Sequence, residues 1–305
     1  MVSQARFRFG GARNEALSPC GERHARPSNG EDLNYRHAFH AGNFADLVKH
    51  AGLLALLGAL QAEGSPLQVI DTHAGRGMYD LAGAEARKSG EAQAGVARLM
   101  AATDAPAAFA PLKRAVAGLN PGGAVRRYPG SPWLVAERLR AGDSLLACEL
   151  RPDEHAALTA LLKGRPGVRT LNADGYAAAP REIRAHGRAL VLVDPPFERA
   201  DDYPRMVELM AALQRRNGAA VALAWLPLKD LETLDAFLRE LEEEVRAPLL
   251  VAEARMRPLA DPLKMNGCAL VSLGAPAGFG PDLEAICRWT TAALGQDGAA
   301  RVYRL

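Results

Sequence analysis

The chain has 305 residues, 49% hydrophobic and 24% charged, with a net charge of +2 and an isoelectric point near 8.4. That is enough chain for one large α/β domain with an insertion or for two small domains. The near-neutral balance excludes a uniformly basic nucleic-acid binder, so any RNA surface must be a local patch.

No apolar run approaches the length of a membrane span. The four cysteines, Cys20, Cys148, Cys268 and Cys287, form neither a C-x-x-C pair nor a metal spacing, which reads as reduced cytosolic thiols.

Residues 1–33 are rich in Gly, Arg, Ser and Pro and carry five Arg against four acids, with no hydrophobic period. Such a segment buries too little apolar surface to offset its ordering entropy, so a disordered extension is expected. Glu15 and Glu22 argue against a transit peptide.

The composition changes at Asn34. The run from Tyr35 to His50 holds His37, His40, Lys49 and His50. Asn43 suits the N-cap of a helix whose apolar positions Leu47, Leu54 and Leu57 recur at helical spacing and which ends near Gly64. Asp46 and His50, four apart, share a face. The histidine spacing fits no usual metal pattern, so no metal is expected.

Leu67–Asp71 then reads as a short strand running into Thr72-His73-Ala74-Gly75-Arg76-Gly77. Gly75 and Gly77 would let the backbone approach a ligand closely. With no G-x-G-x-x-G, the turn fits a mononucleoside such as S-adenosylmethionine better than a dinucleotide.

Residues 79 to about 122 are Ala-rich and helical in pattern, without a strand signal, and form an expected helical insertion. The turn Arg126–Trp133 follows, with Ser131 placed to cap a helix through about Arg140. Its arginine pair could touch a phosphate backbone or simply be solvated.

The remainder alternates. Strands are expected at residues 145–149, 168–171, 189–193, 219–226, 249–255 and 269–273, and helices at 153–162, 176–185, 203–215, 231–244 and 282–293. This order argues for a mostly parallel, doubly wound α/β sheet. Glu149 ends one strand, where a carboxylate could take both ribose hydroxyls of a nucleoside. Asn172-Ala173-Asp174-Gly175 ends the next, where an acid could accept from an adenine amino group.

The apolar run Leu190–Val193 ends in Asp194-Pro195-Pro196-Phe197. Prolines cannot continue a strand ladder, so a carboxylate, a proline carbonyl and a ring are left at the sheet's carboxyl edge. A carboxylate beside a carbonyl can accept both hydrogens of an exocyclic amino group while the ring stacks on its base.

These residues together resemble a known family. The motifs Tyr35-Arg36-His37-x-Phe39-His40-Ala41-Gly42-Asn43, Asp71-Thr72-His73-Ala74-Gly75, Tyr128-Pro129-Gly130-Ser131-Pro132, Ala173-Asp174-Gly175 and Asp194-Pro195-Pro196 are similar to those of bacterial 23S ribosomal RNA adenine-N6 methyltransferases. The likeness runs from about Asn34 to the end. It implies a Rossmann-like class I methyltransferase domain over 34–305 and S-adenosylmethionine as cofactor. The implied target is one adenine in domain V of 23S RNA; a cytoplasmic location and a monomer are expected alongside it.

By motif position the resemblance implies that His50, His73, Ser131, Glu149, Asp174 and Gly175 line the cofactor pocket. It makes Asp194 catalytic, with Pro195 and Phe197 holding the base, and makes Tyr35, His37 and Lys49 RNA-contacting. The family usually has Tyr after the prolines, where this chain has Phe197, so any phenol role is lost. Phe also occurs there in a guanine-N2 methyltransferase family. A guanine-N2 or DNA adenine methyltransferase, or a non-catalytic RNA-binding protein on the same scaffold, are the rival readings.

Overall fold

The computed structural model describes residues 39–305, and the expectations for residues 1–33, Tyr35 and His37 lie outside them. Helix α1 (Phe44–Ala62) opens where Asn43 Oδ1 accepts the Asp46 N–H at 3.0 Å. This satisfies one of the orphan donors of its first turn. It packs against α10 (Phe279–Leu294) and β9 (Gly267–Leu273).

The expectation that no apolar run reaches membrane-spanning length is corrected by α1. Its 19 residues have a mean hydropathy of 1.2, and its most apolar stretch is 72% buried inside the fold. It is apolar nearly all round because it is a core helix.

After β1 (Leu67–Asp71) the chain leaves the sheet. It forms β2 (Met78–Asp80), α2 (Ala84–Ser89), a π-helical turn at Gln93–Ala97, α3 (Arg98–Ala101), α4 (Ala110–Leu119), β3 (Arg127–Pro129) and α5 (Ser131–Ala136). β2 and β3 pair antiparallel, with Tyr79 opposite Tyr128. The sequence showed no strand there because three residues are too few for an alternation to register. The pair is closed by Leu81 N–H donating to Arg126 O at 2.7 Å and Gly130 N–H to Gly77 O at 2.9 Å.

The chain returns through β4 (Ser144–Cys148), α6 (Pro152–Leu162), β5 (Val168–Leu171), α7 (Gly175–Glu182), β6 (Arg188–Val193), α8 (Asp202–Arg216), β7 (Ala220–Leu228), α9 (Leu231–Glu244) and β8 (Leu249–Arg255). β9, α10 and β10 (Ala299–Arg304) complete it. The eight-stranded sheet runs β10-β8-β9-β7-β6-β1-β4-β5. Strands β5, β4, β1, β6 and β7 pair parallel, whereas β9 is antiparallel to β7 and β8, and β10 to β8. This is a Rossmann-like, doubly wound α/β sheet with an antiparallel extension at one end.

Alternation along β6 divides two apolar layers. Leu190 and Leu192 face the layer formed with α1, α10 and the insertion, while Val191 and Val193 face α7, α8 and α9. Burial on both faces explains why the central strands read as continuous apolar runs. Strand order reverses at β1, whose neighbours β4 and β6 lie on opposite sides. A crevice therefore opens outside the carboxyl ends of these strands, the usual ligand position in open α/β sheets.

Candidate active site

β6 delivers Asp194 to that crevice. Pro195 and Pro196 deny the ladder two N–H donors, so pairing stops at the acid. Phe197 then takes a left-handed backbone with φ +54°. This conformation is costly for a bulky side chain and persists only where packing enforces it. Its ring packs against Tyr203 and Trp225, with centroids 5.1 and 5.8 Å away.

Asp194 Oδ2 accepts from Lys49 Nζ at 2.6 Å. The same ammonium meets Asp46 Oδ1 at 2.9 Å, and Asp46 Oδ2 accepts the Gly42 N–H at 2.9 Å. Lys49 is only 6% exposed and Asp46 1%. Burial works against the ammonium, but the carboxylates of Asp194 and Asp46 outweigh it and hold Lys49 well above the usual lysine range. Lys49, expected on an RNA-contacting surface, therefore sits inside, between two carboxylates.

At the end of β1, Asp71 is wholly buried. Burial pushes its carboxyl up to about 7, against the hydrogen bond that Ser131 Oγ donates to Oδ2 at 2.7 Å. Ser131 was expected to cap a helix reaching Arg140. Instead Gly130 holds the cap position, α5 ends at Ala136, and the Ser131 hydroxyl turns to Asp71. Asp71 is the residue that sequence reasoning passed over. Its signal was an acid ending a strand just before the glycine turn, the same signal that marked Asp194.

Thr72 Oγ1 donates to Leu192 O at 2.9 Å and lies 2.7 Å from His73 Nδ1. A hydroxyl has one proton, already given to the carbonyl, so His73 Nδ1–H is the donor and Nε2 is bare. Burial pulls His73 down to about 4, the nearby Asp174 opposing and Arg205 and Arg199 assisting. Its ring stands edge-on to Tyr176 at 4.8 Å.

The glycine turn is tied to β4. Glu149 Oε2 accepts the Gly75 N–H and Oε1 the Arg151 N–H, each at 2.8 Å. Gly75 and Gly77 have φ +59° and +77°, which other residues adopt only at a cost. Burial raises the Glu149 carboxyl above its usual value.

Past β5, Asp174 caps α7 by accepting the Tyr176 N–H at 3.0 Å and pairs with Arg205 at 2.5 Å. Burial opposes its charge, yet Arg205 and that N–H hold it below the usual carboxylate range. A Cβ on Gly175 would lie 1.9 Å from Thr72 O, so only glycine lets α7 begin this close to β1.

His50 is 1% exposed and shares a 2.9 Å hydrogen bond between Nδ1 and the Tyr128 hydroxyl. From the insertion, Glu91 accepts from Asn43 Nδ2 at 2.9 Å and meets His40 Nδ1 at 2.9 Å. The crevice thus gathers Asp194, Lys49, His73, Glu149, Asp174 and Gly175 directly and reaches Ser131 through Asp71, while His50 is buried against Tyr128.

A family model described as "Ribosomal RNA large subunit methyltransferase D, RlmJ" matches residues 64–304. The chain is 30% identical over 258 residues to "Ribosomal RNA large subunit methyltransferase J" of Escherichia coli strain K12, covering 84% of this chain and 92% of that protein. It is 32% identical over 271 residues to the protein of the same name from Haemophilus influenzae, covering 87% and 95%. A crystal structure of a Legionella pneumophila protein superposes with a TM-score of 0.79 at 26% identity, covering 87% of this chain and 98% of that one.

Proposed function

The chain belongs to the ribosomal RNA large subunit methyltransferase family just described, and on that premise we propose that it transfers a methyl group from S-adenosylmethionine to N6 of one adenine in 23S ribosomal RNA. The observation that carries the reading is the placement of Asp194-Pro195-Pro196-Phe197 at the carboxyl end of β6. That end adjoins the glycine turn of β1, which is tied to Glu149.

The residues present suit the cofactor. An ionised carboxylate has about four lone-pair sites, and the backbone N–H groups of Gly75 and Arg151 take one on each oxygen of Glu149. Two sites are left for the two ribose hydroxyls. His73, neutral with a bare Nε2, and Asp174 would line the adenine side, while Gly75 and Gly77 keep the backbone low beneath the nucleoside. When bound, S-adenosylmethionine supplies an electrophilic methyl group on a sulfonium.

The protein's own part is positioning. Lys49 occupies Asp194 Oδ2, and Oδ1 makes no hydrogen bond to any described residue. Oδ1 and the Pro195 carbonyl accept the two hydrogens of the adenine amino group, while the base stacks on the Phe197 ring. These bonds draw the nitrogen lone pair out of conjugation and aim it at the methyl group. Holding the reactants this way can supply several kcal/mol of the barrier reduction. Asp194 Oδ1 is also placed to take the departing proton. Lys49 acts through Asp194 rather than by touching RNA, and Tyr35 and His37 remain RNA contacts by motif position. A base already out of a stack costs least to seat, which favours an unpaired or distorted adenine.

Incubating the protein with unmodified 23S RNA and labelled S-adenosylmethionine, then digesting to nucleosides, tests the reading. N6-methyladenosine is the expected product. N2-methylguanosine, or transfer only to DNA, would overturn the substrate assignment.

A further inference from the structure

Several arginines of this protein are matched with a carboxylate, among them Arg140 with Asp143, Arg255 with Glu253 and Arg288 with Glu284. From Met78 to Arg138 the chain carries eight Lys or Arg against five Asp or Glu. Within that stretch Arg98, Arg114, Arg126, Arg127 and Arg138 make no ion pair with any described residue.

Two of these face one concavity. Helices α4 and α5 leave between them a groove of roughly 450 Å³ whose lining includes Arg114, Trp133, Glu137 and Arg138. Glu137 is the one carboxylate on that lining, and it is committed to Arg165 at 2.5 Å. Arg138 is fixed from behind, its backbone carbonyl accepting from Gln61 Nε2 at 2.8 Å. Burial and the neighbouring Arg114 charge hold Arg138 below the usual arginine range. Two guanidinium groups thus lie near each other on a concave wall whose one carboxylate, Glu137, is paired with Arg165.

The chemistry that relieves this arrangement is a phosphate. Its oxygens match two guanidinium forks, and charge-assisted bonds to it are about twice as strong as neutral ones. Trp133, half-buried on the same wall, offers an aromatic face suited to a base or sugar. Position supports a polymer. α5 begins at Ser131, hydrogen-bonded to Asp71 in the crevice, and Arg138 lies about 10 Å further along the same helical direction.

We infer that the Arg114–Trp133–Arg138 groove is a second RNA contact, gripping backbone phosphates of the strand whose adenine enters at Asp194. This rests on the rRNA methyltransferase reading and adds an anchor outside the catalytic crevice, supplied by the insertion.

The test uses the full chain and the double variant R114Q/R138Q, with R288Q as a control that removes a paired surface arginine. Affinity for an unmodified 23S RNA fragment is measured by fluorescence anisotropy from 50 to 200 mM salt, and methyl transfer is followed separately. Losing two single-strand phosphate contacts should make the log–log salt slope shallower by about 1.4. The affinity lost across that range should then be smaller by about sevenfold. KM for RNA should rise with kcat, melting temperature and S-adenosylmethionine affinity unchanged, and R288Q should behave as wild type. A salt slope equal to wild type in the double variant would overturn the inference, whether or not the wild type methylates that RNA. Failure of the wild type to methylate rRNA, with the slope still altered, would overturn the substrate reading and leave the RNA groove standing. Titration with inorganic phosphate closes the remaining route. Saturable phosphate binding abolished in R114Q/R138Q, with RNA affinity untouched, would make the groove a small-anion site and refute the RNA assignment.

Discussion

The two ends of the sheet use charge in opposite ways. Across the parallel half, successive strands β6, β1, β4 and β5 lead into Asp194, Asp71, Glu149 and Asp174 at their carboxyl edge. Each acid is engaged by a hydroxyl, a backbone N–H or a cation, and the engagements of Asp194, Glu149 and Asp174 leave acceptor sites unused. At the antiparallel end, the buried Glu253 of β8 is closed by Arg255 at 2.5 Å, and its surroundings are the apolar cores of β8 and β9. The same ingredients, a buried carboxylate and a basic partner, build a ligand edge in one half and a structural pair in the other. What separates them is topology: parallel strands that diverge at a switch point leave a crevice, and adjacent antiparallel strands do not.

Substitutions at the two ends should separate accordingly. The largest effect is expected at Asp194. Asp194→Ala should slow methyl transfer roughly 100- to 1,000-fold, the loss usual when one transition-state hydrogen-bonding group is removed. Calorimetry should show its S-adenosylmethionine affinity nearly unchanged, because the lost contact is to the base. Next, Lys49→Met leaves Asp46 and Asp194 facing each other without a cation. Urea unfolding should show a loss of about 3 kcal/mol, as for other broken buried pairs.

His73 gives the comparison a pH axis. Burial keeps its folded pKa near 4, below the ordinary value of 6.5. As pH falls from 6.5 towards 4, the unfolded chain takes up a proton that the folded ring refuses, so stability is lost across that window and no further below it. Thermal melts of His73→Gln should show a flatter dependence between those limits; an unchanged profile would mean that another group carries the acid sensitivity. A smaller effect is expected at Glu149. Glu149→Gln turns an acceptor towards donors, and a charge-assisted bond of this kind contributes about 1.5 to 3 kcal/mol. The dissociation constant for S-adenosylmethionine should rise about tenfold, and an unchanged titration would reduce Glu149 to a brace for the Gly75 turn. Smallest of all, Tyr303→Phe on β10 removes a hydroxyl that lies beside the buried Glu253 carboxylate. It should cost about 1 kcal/mol of stability with turnover unchanged. Impaired turnover there would show that the antiparallel end is coupled to the crevice.

The sequence was most readable where burial is two-sided. β6 and β4 read as apolar runs ending in acids because both faces are covered, and the Asn43 cap was visible because it is local chemistry. β10 was missed because it is an edge strand with exposed and half-buried residues interleaved, and Ala299-Ala300-Arg301 carries little strand signal. The course of Ser131 was misread because Pro132, one residue on, sits as comfortably near the start of a helix as after a cap. What no linear pattern could show is the clamp on Asp194. Lys49 lies 145 residues away, on a helix whose apolar composition made a buried ammonium unexpected. Asp71 was legible in principle, but the neighbouring glycines fit the role of the turn so well that the acid before them drew no assignment.

The central claim is that Lys49 works by holding Asp194 in place, and a double-mutant cycle in single-turnover methyl transfer tests it most directly. Rates are measured with saturating S-adenosylmethionine and unmodified 23S RNA for the wild type, Lys49→Met, Asp194→Ala and the combined variant. If Lys49 acts through Asp194, the combined variant should be about as slow as Asp194→Ala alone, since nothing is left for Lys49 to position. Losses that multiply across the two substitutions would contradict this and make Lys49 an independent contributor.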